Sequence, residues 1–204
     1  RYCQTLAQEM SHTSWTRHQA INMALDICSS LSLLRQNGYL YANLKPENIY
    51  KNDDGTYLIG DLGGLRVDSI KYTSLPEKYR SAYTAPEITD AYSALNETLD
   101  IYAAGLVLYQ VYNNGVLPFE GRAPAEQLPP PEYADYELSE IILKAIATDP
   151  SERWQDPIEM GKALVSYMQR NSVNDVPIAP PAIAAETPKE EINLTDTAAI
   201  DIAL

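Results

Sequence analysis

The chain has 204 residues, enough for one well-developed core. Its formal net charge of −13 argues against nucleic acid, whose phosphates it would repel, and against an anionic membrane surface. Two cysteines, Cys3 and Cys28, give no disulfide or metal-ligand pattern, and no apolar run has the length of a membrane span or the form of a secretory leader, so a cytoplasmic location is expected.

In chain order, the first periodic signal is Trp15 to Gln36, where Ile21, Leu25, Cys28, Leu31 and Leu34, with Ala24 beside them, make one helical stripe. Ser14 is the expected cap, and Asn37-Gly38 is a suitable left-handed stop. The run Tyr41-Ala42-Asn43-Leu44-Lys45-Pro46-Glu47-Asn48 follows. Asn48 to Lys51 and Tyr57 to Gly60 read as short strands around the turn Asn52-Asp53-Asp54-Gly55, a hairpin. Asp61-Leu62-Gly63 comes directly after it, and Ala85-Pro86-Glu87 further on. Leu99 to Tyr112 is apolar on nearly every side, so this helix should be buried all round. Ser139 to Ala147 reads as a helix stopped at Asp149-Pro150. Asp156-Pro157-Ile158-Glu159 reads as an N-cap, a proline at the first helical position and a glutamate reaching back, opening a last helix that runs to about Gln169.

Beyond Arg170 the texture changes. Pro177, Pro180, Pro181 and Pro188 interrupt an Ala-rich stretch in which six acids face Lys189 alone. Such a segment buries too little apolar surface to offset its ordering entropy. Residues 171–204 are therefore expected to be an acidic linker without stable structure, with Ile192 to Leu204 as a candidate docking helix.

Three of these motifs, in this order, resemble the catalytic core of a Ser/Thr protein kinase. The loop 41–48 is similar to H-R-D-L-x-x-x-N, Asp61-Leu62-Gly63 to D-F-G, and Ala85-Pro86-Glu87 to A-P-E. Asp100-Ile101-Tyr102-Ala103-Ala104-Gly105 resembles the D-x-W-x-x-G start of the family's central helix, with Tyr102 for Trp. Arg153, in Asp149-Pro150-Ser151-Glu152-Arg153-Trp154, resembles the arginine that pairs with the A-P-E glutamate, here Glu87. The resemblance spans residues 1–170 and is to the C-terminal lobe; nothing upstream of Tyr41 resembles a Gly-rich phosphate loop or V-A-I-K. It implies an α+β fold class: a protein-kinase-like C-terminal lobe, mostly helical with a small β-hairpin, the N-terminal lobe being absent from this chain. A lobe that sits beneath another is expected to show an apolar face near Leu40, Leu58, Ile59 and the first helix.

The family's catalytic aspartate is replaced by Asn43. An amide cannot take a hydroxyl proton at neutral pH, because its nitrogen has no usable lone pair and its oxygen is a very weak base. The other positions survive: the resemblance implies that Asp61 and Asn48 are metal ligands and that Lys45 faces the transferred phosphate. Lys45, Asn48 and Asp61 are thus the nucleotide-binding candidates, with ATP and Mg2+ as cofactors, while Asn43 and Lys45 stand in the catalytic loop. Structural roles stand beside these: Asp61 capping a turn, Asn48 holding the loop, Lys45 as a solvated charge. Tyr41 replaces the loop His, and Ala42 replaces the Arg that grips a phosphorylated activation segment in many kinases, so that clamp cannot form. Counting back from Glu87 puts Arg80 where the family has the Thr that contacts the catalytic Asp. Ser69, Thr73 and Ser74 are candidate sites for modification by another kinase. The reading that follows is a pseudokinase with a signalling role, regulating or scaffolding a protein partner and binding Mg-ATP weakly. The alternative is an active Ser/Thr kinase that transfers the ATP γ-phosphate to protein hydroxyls with an altered loop, and a third reading is a structural domain that binds no nucleotide.

Overall fold

The computed structural model describes residues 4–12, 14–62, 65–66, 75, 77–88, 95–120, 128–171 and 176–178. Cys3, Gly63, Ser69, Thr73, Ser74 and the stretch 179–204 lie outside the described residues. A short strand β1 (Gln4–Thr5) and helix α1 (Leu6–His12) come first. Neither is visible in the sequence pattern, because two and seven residues are too few to display a period.

Helix α2 (Arg17–Gln36) is capped by Thr16, not by Ser14. The Thr16 hydroxyl accepts from the Gln19 amide at 3.2 Å, and the Gln19 side chain accepts from the Thr16 amide at 3.1 Å. This reciprocal capping box needs an acceptor three residues on. Gln19 supplies one; Arg17, three after Ser14, does not. The helix ends where Gly38 takes φ 77°. Its buried stripe, Ala20, Ile21, Ala24, Ile27, Cys28 and Leu31, packs against α3 (Leu99–Val111) and α5 (Pro157–Asn171). As its composition predicts, α3 is buried on all sides, only Gln110 being partly exposed.

Helix α4 (Tyr136–Ala145) starts earlier than Ser139, because the Asp135 carboxylate accepts from the Leu138 amide at 3.0 Å and caps a turn whose first residue, Tyr136, faces solvent. It lies close against α3: a Cβ on Gly105 would sit 2.7 Å from both Ala145 Cβ and Ile146 Cγ2. In α5, Asp156 caps the Ile158 amide at 2.8 Å, while Glu159 reaches the Gln155 amide at 3.3 Å.

A small sheet lies beside this helical body. Strands β3 (Ile49–Lys51) and β4 (Tyr57–Ile59) form the expected hairpin, with Ile49 opposite Ile59, and β1 pairs with the other edge of β3. A second ribbon pairs β2 (Tyr39–Leu40) with β5 (Leu65–Arg66). Glu9 of α1 is buried, accepts from the Tyr57 hydroxyl at 2.8 Å and pairs with Lys51, which fixes α1 to the hairpin. The expected apolar face is smaller than anticipated. Leu40 and Ile59 are buried within the lobe, and Leu58 is exposed because strand alternation turns it away from Tyr57 and Ile59.

Val176 to Ile178, inside the stretch read as an unstructured linker, pack back on the lobe. The Arg17 amide donates to the Val176 carbonyl at 3.0 Å, the Ile178 amide to the Trp15 carbonyl at 2.8 Å, and the Ile178 side chain is buried. Among the described residues no helix is long and apolar enough to cross a membrane.

The close approach of α3 and α4 is testable. Gly105→Val is expected to lower stability by about 1–3 kcal/mol through overpacking, read as a lower urea midpoint. An unchanged midpoint would mean that the two helices are not in contact at Gly105.

Candidate functional site

The loop 41–48 is shaped by Asp100, at the head of α3. Its carboxylate is buried and accepts the Tyr41 and Ala42 amides, both at 2.7 Å. Ala42 sits at φ 56°, a left-handed conformation that is unfavourable for a residue with a Cβ. Two charge-assisted hydrogen bonds offset that strain. Burial pushes the Asp100 carboxyl up from its ordinary 3.8 to about 6, against the pull of the two amides.

The Tyr41 side chain is buried and its hydroxyl donates to the Gly60 carbonyl, which ties the loop to the end of β4. Burial, followed by the negative charges of Asp61 and Asp100, raises the Tyr41 phenol. The Gly60 amide donates to the Asn48 carbonyl at 2.9 Å, and the Asn48 side-chain amide donates to the Asn43 carbonyl at 2.9 Å. Asn48 therefore does hold the loop, but through its nitrogen; Oδ1 is left for another partner. Asp61, the residue after Gly60, is exposed at φ 49°, and its carboxylate has no hydrogen bond or ion pair among the described residues. Lys45 is half-buried without an ion pair among them. The hairpin thus sets Asn48 opposite Gly60, the residue before Asp61, at its open end, with Asn43 and Lys45 on the same loop.

The Asn43 side chain is buried and faces a cavity of about 20 Å³ shared with Tyr79, Ser81, Thr84 and Ala103, room for about one water. Arg80 does not line it; its guanidinium lies 3.6 Å from Glu77. Ser81, the next residue, does line it. Tyr83 was also missed; its hydroxyl donates to Gln110 at 2.5 Å and anchors the segment to α3.

The end of that segment is held by Glu87 and Arg153. The guanidinium donates to the Glu87 oxygens at 2.8 and 2.7 Å, to the Ala147 carbonyl at 2.7 Å and to the Thr148 carbonyl at 3.2 Å, and it stacks over the Tyr102 ring at 4.8 Å. Burial works to raise the Glu87 carboxyl, but the hydrogen bonds and charge of Arg153, with Asn96, outweigh it and hold the carboxyl below its usual range.

A family model described as protein kinase domain matches residues 2–175, so the chain belongs to the protein kinase family. Serine/threonine-protein kinase PknB of Mycobacterium leprae is 30% identical over 162 residues, covering 72% of this chain and 26% of that protein. Serine/threonine-protein kinase PknD of Chlamydia trachomatis serovar L2b is 28% identical over 182 residues, covering 70% of this chain and 19% of that protein. PknB of Mycobacterium tuberculosis is 28% identical over 176 residues, 78% and 28% respectively. The chain spans less than a third of the length of these relatives.

Two outcomes are expected. Arg153→Ala leaves Glu87 and two carbonyls without their donor and should cost about 3–5 kcal/mol; a thermal melt superimposable on wild type would contradict the ion pair. Asp100 carries a pH signature. Its folded-state value lies above its unfolded one, so the native state holds the extra proton between them. Its contribution to stability is complete below about 4 and is lost as pH rises through about 6, by on the order of 3 kcal/mol. The stability difference between wild type and Asp100→Asn, followed by urea titration from pH 4 to 7, should fall accordingly. A flat difference would show that Asp100 is solvated.

Proposed function

We propose that this protein is a pseudokinase: a kinase-fold domain that binds Mg-ATP weakly and acts on a protein partner as a regulator or scaffold. The observation that carries this reading is the buried Asn43 amide at the base position of a loop that is otherwise fully assembled by Asp100 and Tyr41. At position 43 this loop offers an amide and no carboxylate to take a proton.

The residues present fit a magnesium ion. Mg2+ prefers hard oxygen donors and takes only one or two from the protein, the rest coming from water and phosphate. Asn48 Oδ1 and the unpaired Asp61 carboxylate are such a pair, and among the described residues no cluster of three or more metal-ligating side chains competes with them. When bound, the metal supplies positive charge against the phosphate oxygens. Lys45 adds a cation on the same loop. Asn43 has a side chain that can hydrogen-bond an acceptor hydroxyl and orient it but cannot remove its proton.

The active-kinase alternative draws on the same three residues. Phosphoryl transfer has a loose transition state in which positioning and electrostatics supply most of the rate, and general-base help is worth about two to four powers of ten. The two readings separate on a longer polypeptide that includes an N-terminal lobe. Asp61→Ala should abolish Mg-ATP binding in a calorimetric titration. Asn43→Asp, whose new carboxylate would share its cavity with the Ser81 hydroxyl, should raise phosphate transfer about a hundredfold. Robust transfer by the unmodified protein, lost in Asp61→Ala, would replace the pseudokinase reading with that of an active kinase.

A further inference from the structure

Away from the nucleotide site, the C-terminal half of α4 and the segment after it form a groove of about 410 Å³, a size typical of pockets that take a ligand or an anchoring side chain. Its floor is apolar: Leu128 and Leu143 are half-buried, Ile146 is buried and Ala147 lies between them. Its rim carries Glu140, Thr148 and Glu152, all exposed. Neither glutamate has an ion pair or hydrogen bond among the described residues.

Among the described residues, the two basic side chains next to this rim are committed elsewhere. Lys144, one turn on from Glu140, lies over the Trp154 ring with its ammonium 3.9 Å from the centroid. Arg153, next to Glu152, is directed inward to Glu87. It also grips the Ala147 and Thr148 carbonyls, so one wall of the groove is held in place before anything binds.

We propose that this groove is a docking site for a cationic amphipathic segment of a partner protein. One apolar side chain enters between Leu128, Leu143 and Ile146, and lysines or arginines on either side meet Glu140 and Glu152. Charge complementarity selects this occupant: the apolar floor lies between two carboxylates that have no ion pair among the described residues, on a chain of net charge −13. The chain's own residues 171–204, with six acids against Lys189, would be repelled.

The test uses the full 204-residue chain and a short fluorescein-labelled peptide with one leucine flanked by lysines, followed by fluorescence anisotropy. Saturable binding is expected, weakened about tenfold in the double variant Glu140→Gln/Glu152→Gln, as expected for the loss of two rim charges. A peptide with glycine for leucine should bind at least tenfold more weakly than the leucine peptide. The charge reversal Glu140→Lys/Glu152→Lys should prefer a peptide with glutamates for lysines. Both substituted side chains lie on the surface, and circular dichroism checks that the variants fold. Absence of saturable binding would overturn the proposal. So would binding unchanged in the glutamine variant, or equal binding of the glycine peptide, which would reflect attraction to the overall charge alone.

Discussion

A single buried carboxylate holds the loop on which the candidate site stands. Asp100 belongs to the most thoroughly buried helix of the lobe, so its position is fixed by packing, and its two oxygens each hold a backbone amide of the loop. Everything downstream inherits that placement: the strained turn at Ala42, the inward amide of Asn43, and Asn48 opposite Gly60. The arrangement is demanding. A carboxylate kept from water favours its protonated form, and here the two amides only partly compensate. The lobe therefore maintains an electrostatically unfavourable group at its centre to hold the loop that carries Asn43.

Arg153 plays a parallel part at the other end of the segment. It is among the largest fully buried side chains of the lobe, yet its donors meet Glu87, two carbonyls and the face of Tyr102. Such a buried pair is not strong evidence of net stabilisation, since desolvation offsets much of the attraction. Its value is geometric. A planar guanidinium with fixed donors sets the angle between the segment end and the turn before α5, which a lysine could not do. Through the Ala147 and Thr148 carbonyls the same side chain also shapes the groove beneath α4.

Much of this was legible in the sequence. The long helices were readable because their apolar stripes persist over several turns, the hairpin because a turn sequence separates two short strand runs, and the Glu87–Arg153 pair because a family motif fixes it. The misses have common physical causes. Ser14 and Thr16 are equally good cap residues, and only the partner three positions on decides between them. Leu58 and Ile59 are equally apolar, and the pleat decides which faces out. Ile178 sits in a stretch whose composition argues for disorder, but one apolar side chain with a vacancy to fill on the lobe is enough to order three residues. At the loop, the structure adds that the Asn48 side chain donates through its nitrogen to the Asn43 carbonyl.

The return of Val176 to Ile178 onto the entrance of α2 has a consequence for how the lobe assembles. This contact joins residues near the two ends of the described chain, so it closes the longest loop in the fold and carries the largest closure entropy. The packing of α2 against α5 also joins distant parts of the chain, whereas α2 with the hairpin and α3 with α4 are more local pairings that can form earlier. On a ribosome, Trp15 emerges long before Ile178 exists. The start of α2 therefore waits, with one apolar flank uncovered, until Ile178 has been made, and that interval is when the nascent lobe is most open to wrong partners.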